Sequence, residues 1–263
     1  MRVVRFWVAG KTSYGVLLGK EVRRLRRDPF IQFERSGKIS YLDNVSYPLG
    51  SVRLLAPCTP SKIVCLGLNY RGHIEEMNLA IPPLPLIFLK PSTSVIGTNE
   101  SIILPPGCGR VDYEGELAVV IGKTARSVSV DKADGYILGY TCFNDVSDRE
   151  AQALDGQWTR AKGYDTFAPL GPWIETDVSP DNLKLETFVN GDLRQSASTR
   201  ELVFSVPEVV SFVSHIMTLL PGDVIATGTP AGVGPLKPGD VVQVKIEGIG
   251  VLTNSVVSAP ISS

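Results

Sequence analysis

Apolar residues in this chain come mostly in short runs of strand length, separated by turn residues. Val3 to Val8 and Tyr14 to Leu18 flank the turn signal Ala9-Gly10-Lys11 and predict a hairpin. Lys62 to Leu66 and Leu84 to Leu89 read as buried strands, with a short helix over Tyr70 to Leu79 between them. Two longer apolar runs follow, Tyr113 to Ile121 and about Gly135 to Asn144. Ser147-Asp148-Arg149-Glu150 matches a capping box and predicts a helix that starts at Ser147. The longest helical pattern spans Pro207 to Leu220, where Val209, Val210, Val213, Ile216, Met217 and Leu220 share one face. Two Pro-Gly-Asp turns, at 221–223 and 238–240, each open a β-rich run. Val241 to Ile246 and Val251 to Val257 flank Glu247-Gly248-Ile249-Gly250 as a closing hairpin. Strands outnumber helices and βαβ alternation is scarce. The pattern predicts an α+β chain that is mostly β and mostly antiparallel.

The same pattern suggests two units. Residues 1–56 hold short strands and no chemical cluster, as a small N-terminal β-domain would. Leu55-Ala56-Pro57-Cys58-Thr59-Pro60 reads as the linker, and 57–263 as the domain that carries the chemistry.

Within the Tyr113–Ile121 run stand Glu114 and Glu116. Residues two apart in a strand point to one face, so two carboxylates would leave an apolar element side by side. Like charges held together call for a positive group between them, and a divalent cation is the simplest one. Asp145, at the end of the next apolar run, could supply a third oxygen. An all-carboxylate set suits Mg²⁺ or Mn²⁺ rather than zinc or copper. Paired charges on an edge strand are the alternative.

Composition narrows the field. The 263 residues hold 26 basic and 27 acidic side chains, which gives no global case for binding nucleic acid or a membrane. The basic run Arg23, Arg24, Arg26 and Arg27 reads as a solvated face. Cys58, Cys65, Cys108 and Cys142 have no Cys-x-x-Cys spacing and read as small hydrophobes of a reducing compartment. Arg5 interrupts the first apolar run, no signal-type cleavage pattern follows and no stretch is long enough to span a bilayer. The expected location is the cytoplasm.

Other candidates carry chemistry less specifically. His73 and Glu76 lie three apart in a helical pattern, where a carboxylate orients and activates an imidazole; an ordinary surface pair has the same spacing. His215 belongs to the polar stripe of the long helix. Arg149 and Gln152 lie on the first turn of the helix after Asp145, placed for an anionic group, or else for solvent. Lys90 closes an apolar strand and Lys162 follows Trp158; each could clamp a carboxylate or stabilise an enolate, and surface lysines occur in both settings. Ala226-Thr227-Gly228-Thr229-Pro230-Ala231-Gly232-Val233-Gly234 is neither a P-loop nor a dinucleotide fingerprint; it suits close backbone approach to a ligand, with Thr229 as a donor, or a β-turn.

Taken in order, these pieces resemble the fumarylacetoacetate hydrolase family from about Lys62 to Val257. The resemblance rests on Gly67-Leu68-Asn69-Tyr70 with His73 and Glu76, Phe88-Leu89-Lys90-Pro91, Tyr113-Glu114-Gly115-Glu116-Leu117, Asn144-Asp145-Val146-Ser147 with Arg149 and Gln152, Lys162-Gly163-Tyr164-Asp165-Thr166-Phe167 with Gly171-Pro172-Trp173, and Thr227-Gly228-Thr229-Pro230. It implies a mixed β-roll or barrel-like catalytic domain, usually a homodimer, with Glu114, Glu116 and Asp145 ligating Mg²⁺ or Mn²⁺. It implies a small-molecule substrate, a 2-oxo acid or its 2-hydroxydienoic enol, that reacts through a metal-chelated enolate. Lys162 would stabilise that charge, Lys90, Arg149, Gln152 and Thr229 would position the acid, and His73 with Glu76 would activate water or assist decarboxylation. Gly163 departs from the pattern, since relatives often carry serine there. The layout resembles isomerases and decarboxylases of 2-hydroxyhepta-2,4-diene-1,7-dioate in aromatic catabolism. Acylpyruvate (fumarylpyruvate-like) hydrolysis and oxaloacetate decarboxylation use nearly the same residues. A non-catalytic ligand-binding protein on the same fold is the alternative from another class.

Overall fold

The computed structural model describes residues 1–40 and 42–260. A twelve-stranded sheet organises them. Its main path runs Leu42–Pro48, Glu21–Leu25, Lys11–Leu18, Arg2–Val8, Ala168–Glu175, Ile137–Asn144, Gly115–Ile121, Val224–Ala226, Ile63–Gly67, Leu86–Lys90. A five-stranded sheet orders Asp192–Ser198, Lys184–Val189, Val241–Ile246, Gly250–Ser258 and Ile102–Leu104. A three-stranded sheet joins Ser147–Asp148, Val111–Tyr113 and Gly234–Pro235. Pairing is mainly antiparallel; Val224–Ala226 beside Ile63–Gly67 is a parallel exception near one end of the large sheet.

The predicted first hairpin forms, with Val8 opposite Lys11 across Ala9 and Gly10. Both turn residues have positive φ, 47° and 79°, the two-residue geometry that matches strand twist. The closing hairpin forms as well, Val241–Ile246 against Gly250–Ser258.

The strand Gly115–Ile121 is buried on both faces. Leu117, Val119 and Ile121 pack with Leu185, Val244 and the helix Val206–Ile216. Ala118 and Val120 pack with Ile63, Cys65 and Phe143 on the other side. By the two-residue period, Glu116 shares the side of Ala118 and Val120.

Several expected boundaries move, each for a local reason. The single strand expected over Tyr113–Ile121 is two: the chain leaves the small sheet after Tyr113 and joins the large one at Gly115, with Glu114 at the junction. Gly115 sits against the five-stranded sheet so closely that a Cβ there would fall 2.0 Å from Thr187 Oγ1. The helix after Asp145 spans Arg149–Asp155, and its N-cap is Asp148, not Ser147. The Asp148 carboxylate accepts from the Glu150 and Ala151 N–H groups, while the Ser147 hydroxyl turns back to the Asp145 carbonyl. The long helix stops at Ile216, because Met217 is extended and Leu219 bridges to Ala125 instead. The short helix covers only Arg71–Glu76, and Asn78 beyond it has φ 52°.

Candidate metal centre and substrate cavity

Three elements deliver the carboxylates. Glu114 comes from the sheet junction, Glu116 from the start of Gly115–Ile121, and Asp145 from the residue after Ile137–Asn144. The Asp145 N–H donates to the Glu114 carbonyl at 2.8 Å, which ties the two chain segments together. One oxygen from each of the three side chains falls within 4.8 Å of the others, and all three residues are buried.

Their partners differ. Lys162, from the one-turn helix Thr159–Lys162, lies 2.8 Å from Glu114 Oε2 and 2.7 Å from Asp145 Oδ2. Arg149 Nη2 lies 2.5 Å from Glu114 Oε1. Lys90 Nζ pairs with Asp145 Oδ1 and donates to the Val146 carbonyl. Glu116 has only the Gly228 N–H, 2.8 Å from Oε2; its buried Oε1 has no partner among the described residues.

These environments push the two glutamates apart. Burial works to raise the Glu114 carboxyl, but the charges of Lys162 and Arg149 outweigh it and bring it down to about 2. Burial and then the charges of Asp145 and Glu114 raise the Glu116 carboxyl well above its ordinary value. Lys162 goes upward: burial opposes its charge, yet Asp145 and Glu114 prevail. An unpartnered buried oxygen, a raised carboxyl and three converging hard donors fit a divalent cation of the Mg²⁺ or Mn²⁺ kind.

A cavity of about 480 Å³ opens beside Glu114 and Lys162. His73, Arg149, Gln152 and Thr229 also line it. His73 Nδ1 lies 3.1 Å from Glu76 Oε2, and the Gly232 N–H donates to Glu76 Oε1 at 3.2 Å. Arg149 donates from Nη1 to Gln152 Oε1 at 2.8 Å. Trp158 and Phe88 form an aromatic wall, ring centroids 5.1 Å apart, with the Lys162 ammonium 5.0 Å from the Phe88 centroid.

Two expected contacts are placed differently. Lys90 does not line this cavity: only 1% exposed, it stands behind Asp145 with its ammonium committed there. The Thr229 hydroxyl donates to the Gly115 carbonyl at 3.0 Å and accepts from Gln195 Nε2 at 2.8 Å, so its proton is already spent on the backbone. The glycine-rich loop does make a close backbone approach, but to Glu116: Gly228 has φ 96°, and a Cβ there would sit 3.0 Å from Asn69 Cβ. Gly163 has the Thr159 carbonyl where a side chain would begin, 2.5 Å from an ideal Cβ.

The site also contains residues that the sequence reading passed over. Asp112 is buried and pairs with Arg110 at 2.7 Å and Arg149 at 2.9 Å. Its signal was present, because Asp112, Glu114 and Glu116 share one parity. Gln195 accepts from the Gly115 N–H at 3.0 Å and holds Thr229, and it lies far away in sequence with no motif around it.

Comparison with known proteins shows the family. A family model described as fumarylacetoacetate (FAA) hydrolase C-terminal matches residues 62–257. The chain belongs to the fumarylacetoacetate hydrolase family. A second model, Rv2993c-like N-terminal, matches residues 1–57. Among solved members of the fumarylacetoacetate hydrolase family, 2-hydroxyhepta-2,4-diene-1,7-dioate isomerase from Mycobacterium marinum is 46% identical, with a TM-score of 0.91 over 99% of this chain and 100% of that one. Maleylpyruvate hydrolase from Sphingobium sp. SYK-6, solved with manganese(II) and pyruvate, is 34% identical, with a TM-score of 0.81 over 99% of this chain and 100% of that one. The mitochondrial oxaloacetate tautomerase Fahd2a of Rattus norvegicus is 45% identical over 80% of this chain and 71% of its own length.

Proposed function

We propose that this chain is a divalent-cation-dependent enzyme acting on a 2-oxo acid or its enol, as an isomerase or decarboxylase of the 2-hydroxyhepta-2,4-diene-1,7-dioate type. The observation that carries this reading is the buried Glu114, Glu116 and Asp145 set, with an unpartnered Glu116 oxygen, beside a cavity lined by Arg149 and Gln152. Glu114, Glu116 and Asp145 would hold Mg²⁺ or Mn²⁺, which when bound would supply Lewis acidity to the 2-oxo acid.

The chain's own groups do the rest. Arg149 and Gln152, locked to each other, orient the 2-oxo acid's carboxylate. Lys162 holds a positive charge where negative charge develops, and its burial makes that charge act strongly. With Nδ1–H donating to Glu76, His73 keeps Nε2 as the atom that accepts or returns a proton. Lys90 acts one layer back, as a positioning residue for Asp145.

The likeness to oxaloacetate tautomerase Fahd2a favours a second reading, tautomerisation of a shorter acid, which needs only the proton transfer. A substrate panel separates the two. The full chain with Mg²⁺ or Mn²⁺ is offered the C7 hydroxydienedioate, oxaloacetate and an acylpyruvate, enol absorbance is followed and products are identified. The expected result is turnover of the C7 acid, abolished by EDTA and restored by the metal. Turnover that survives EDTA would remove the metal from the reading, and turnover of oxaloacetate alone would select the second one.

A further inference from the structure

Arg110 lines the same cavity as Arg149 but is not one of the residues to which the reading above gives a task. Its side chain is 55% exposed, yet it is held in place. Nε donates to Asp112 Oδ1 at 2.7 Å and Nη2 to Asp112 Oδ2 at 3.2 Å, while Nη1 has no partner among the described residues. Neutralising Asp112 does not require it, because Arg149 already lies 2.9 Å from Asp112 Oδ2. The result is a chain of contacts from the centre outward: Glu114, Arg149, Asp112, Arg110. Buried Asp112 thus holds two guanidinium groups, one at the carboxylate set and one nearer solvent.

The lining beside these arginines is apolar. Trp158, Met77, Leu79 and Val233 form much of it, which suits a carbon chain and not a second hydrated group. Charge points the same way. Five carboxylates, Asp112, Glu114, Glu116, Asp145 and Glu76 at the rim, face four cations, Lys90, Arg110, Arg149 and Lys162, so a divalent cation would leave the lining one charge positive. The two guanidinium groups that line the cavity stand one at the carboxylate set and one nearer solvent, and a dicarboxylate with an apolar chain between its ends complements that placement.

We infer that Arg110 binds the far carboxylate of a dicarboxylate substrate, so that the site selects a 2-oxo dioate over the 2-oxo monoacid of equal length. This rests on the 2-oxo acid reading above, with Arg149 and Gln152 taking the near carboxylate. Asp112 is then a positioning residue that sets the spacing of the two arginines.

The test is calorimetric titration of the Mg²⁺-loaded full chain with 2-oxoheptanedioate and with 2-oxoheptanoate. The wild type is expected to bind the dioate about tenfold tighter, the scale of one charge-assisted contact at a half-exposed site. Arg110→Gln brings that ratio to about one and leaves monoacid and Mg²⁺ affinities unchanged. Arg110→Lys keeps part of the preference, and it decides the matter alone if the glutamine variant does not fold. Equal affinity of the wild type for the two acids overturns the inference. So does an equal loss for both acids in Arg110→Gln, because the guanidinium would then act only through Asp112. If the wild type binds Mg²⁺ and neither acid, the 2-oxo acid reading falls and this one with it.

Discussion

The most exposed weakness of the site is a single buried atom, Glu116 Oε1. Its carboxyl has a folded-state pKa above the unfolded one, so its own contribution to the stability of the metal-free fold is fully present when pH is below the ordinary glutamate value. That stability is lost as pH rises from there through the raised value. Glu114 has the opposite sign: its contribution is present above the ordinary value and lost only as pH falls toward about 2. Melting curves in EDTA between pH 5 and 8 should therefore show the wild type weakening with pH while Glu116→Gln stays flatter. The variant should also bind Mg²⁺ at least tenfold more weakly by calorimetry. Parallel pH curves for the two proteins would mean that Glu116 is not held as an unwelcome anion. At this scale the sequence was most legible where charge broke an apolar pattern. Glu114 and Glu116 announced themselves. Lys90 did not show that it would face a carboxylate from behind, and Thr229 did not show that its hydroxyl would be taken by its own sheet, since both outcomes depend on partners 55 and 114 residues away.

Secondary elements carry the site by their ends. Arg149 and Gln152 ride on the helix Arg149–Asp155, and Asp148 is its cap. Asp148→Ala should destabilise the protein by about 1 kcal/mol in urea unfolding, the usual value of an N-cap side chain. It should also weaken 2-oxo acid binding, because the cap fixes the turn from which Arg149 reaches Glu114. Unchanged binding in a destabilised variant would separate the helix start from the cavity. Helix and hairpin existence was readable from spacing and turn chemistry: the first hairpin, the last hairpin and the helix Val206–Ile216 all form. Their ends were less so. Ser147-Asp148-Arg149-Glu150 offers two capping side chains, and Asp148 takes the role because the Ser147 hydroxyl turns back to the Asp145 carbonyl while both residues pair in the small sheet. The break at Glu114 was hidden for a similar reason. An unbroken apolar run does not reveal that its two halves pair with different sheets.

At the scale of the whole molecule, the N-terminal strands are part of the large sheet. Val3 stands opposite Ile174, and Val3, Val16, Leu25 and Phe30 pack in one cluster with Ala118, Val120 and Phe143. Removing residues 1–57 would bare the Ala168–Glu175 edge and take away four of the buried side chains of that cluster, Val3, Val16, Leu25 and Phe30. The truncated chain is expected to melt well below the full one and to aggregate, measured by scanning calorimetry and light scattering. A truncated chain that melts like the full one would show that this junction contributes little. The pattern marks residues 1–56 as a small N-terminal β-unit, and local spacing says nothing about which distant strand its hairpin will join.

The pairing of the acids with lysines has one more consequence. Asp145 has Lys90 and Lys162, and Glu114 has Lys162 and Arg149, so two of the three carboxylates keep an internal counterion whatever else is bound. Loading the centre with a cation would then be closer to an exchange among positive charges than to the filling of a hole. Protein stripped with EDTA is therefore expected to keep its fold and to take up Mg²⁺ again on dialysis, read by melting curves and calorimetry.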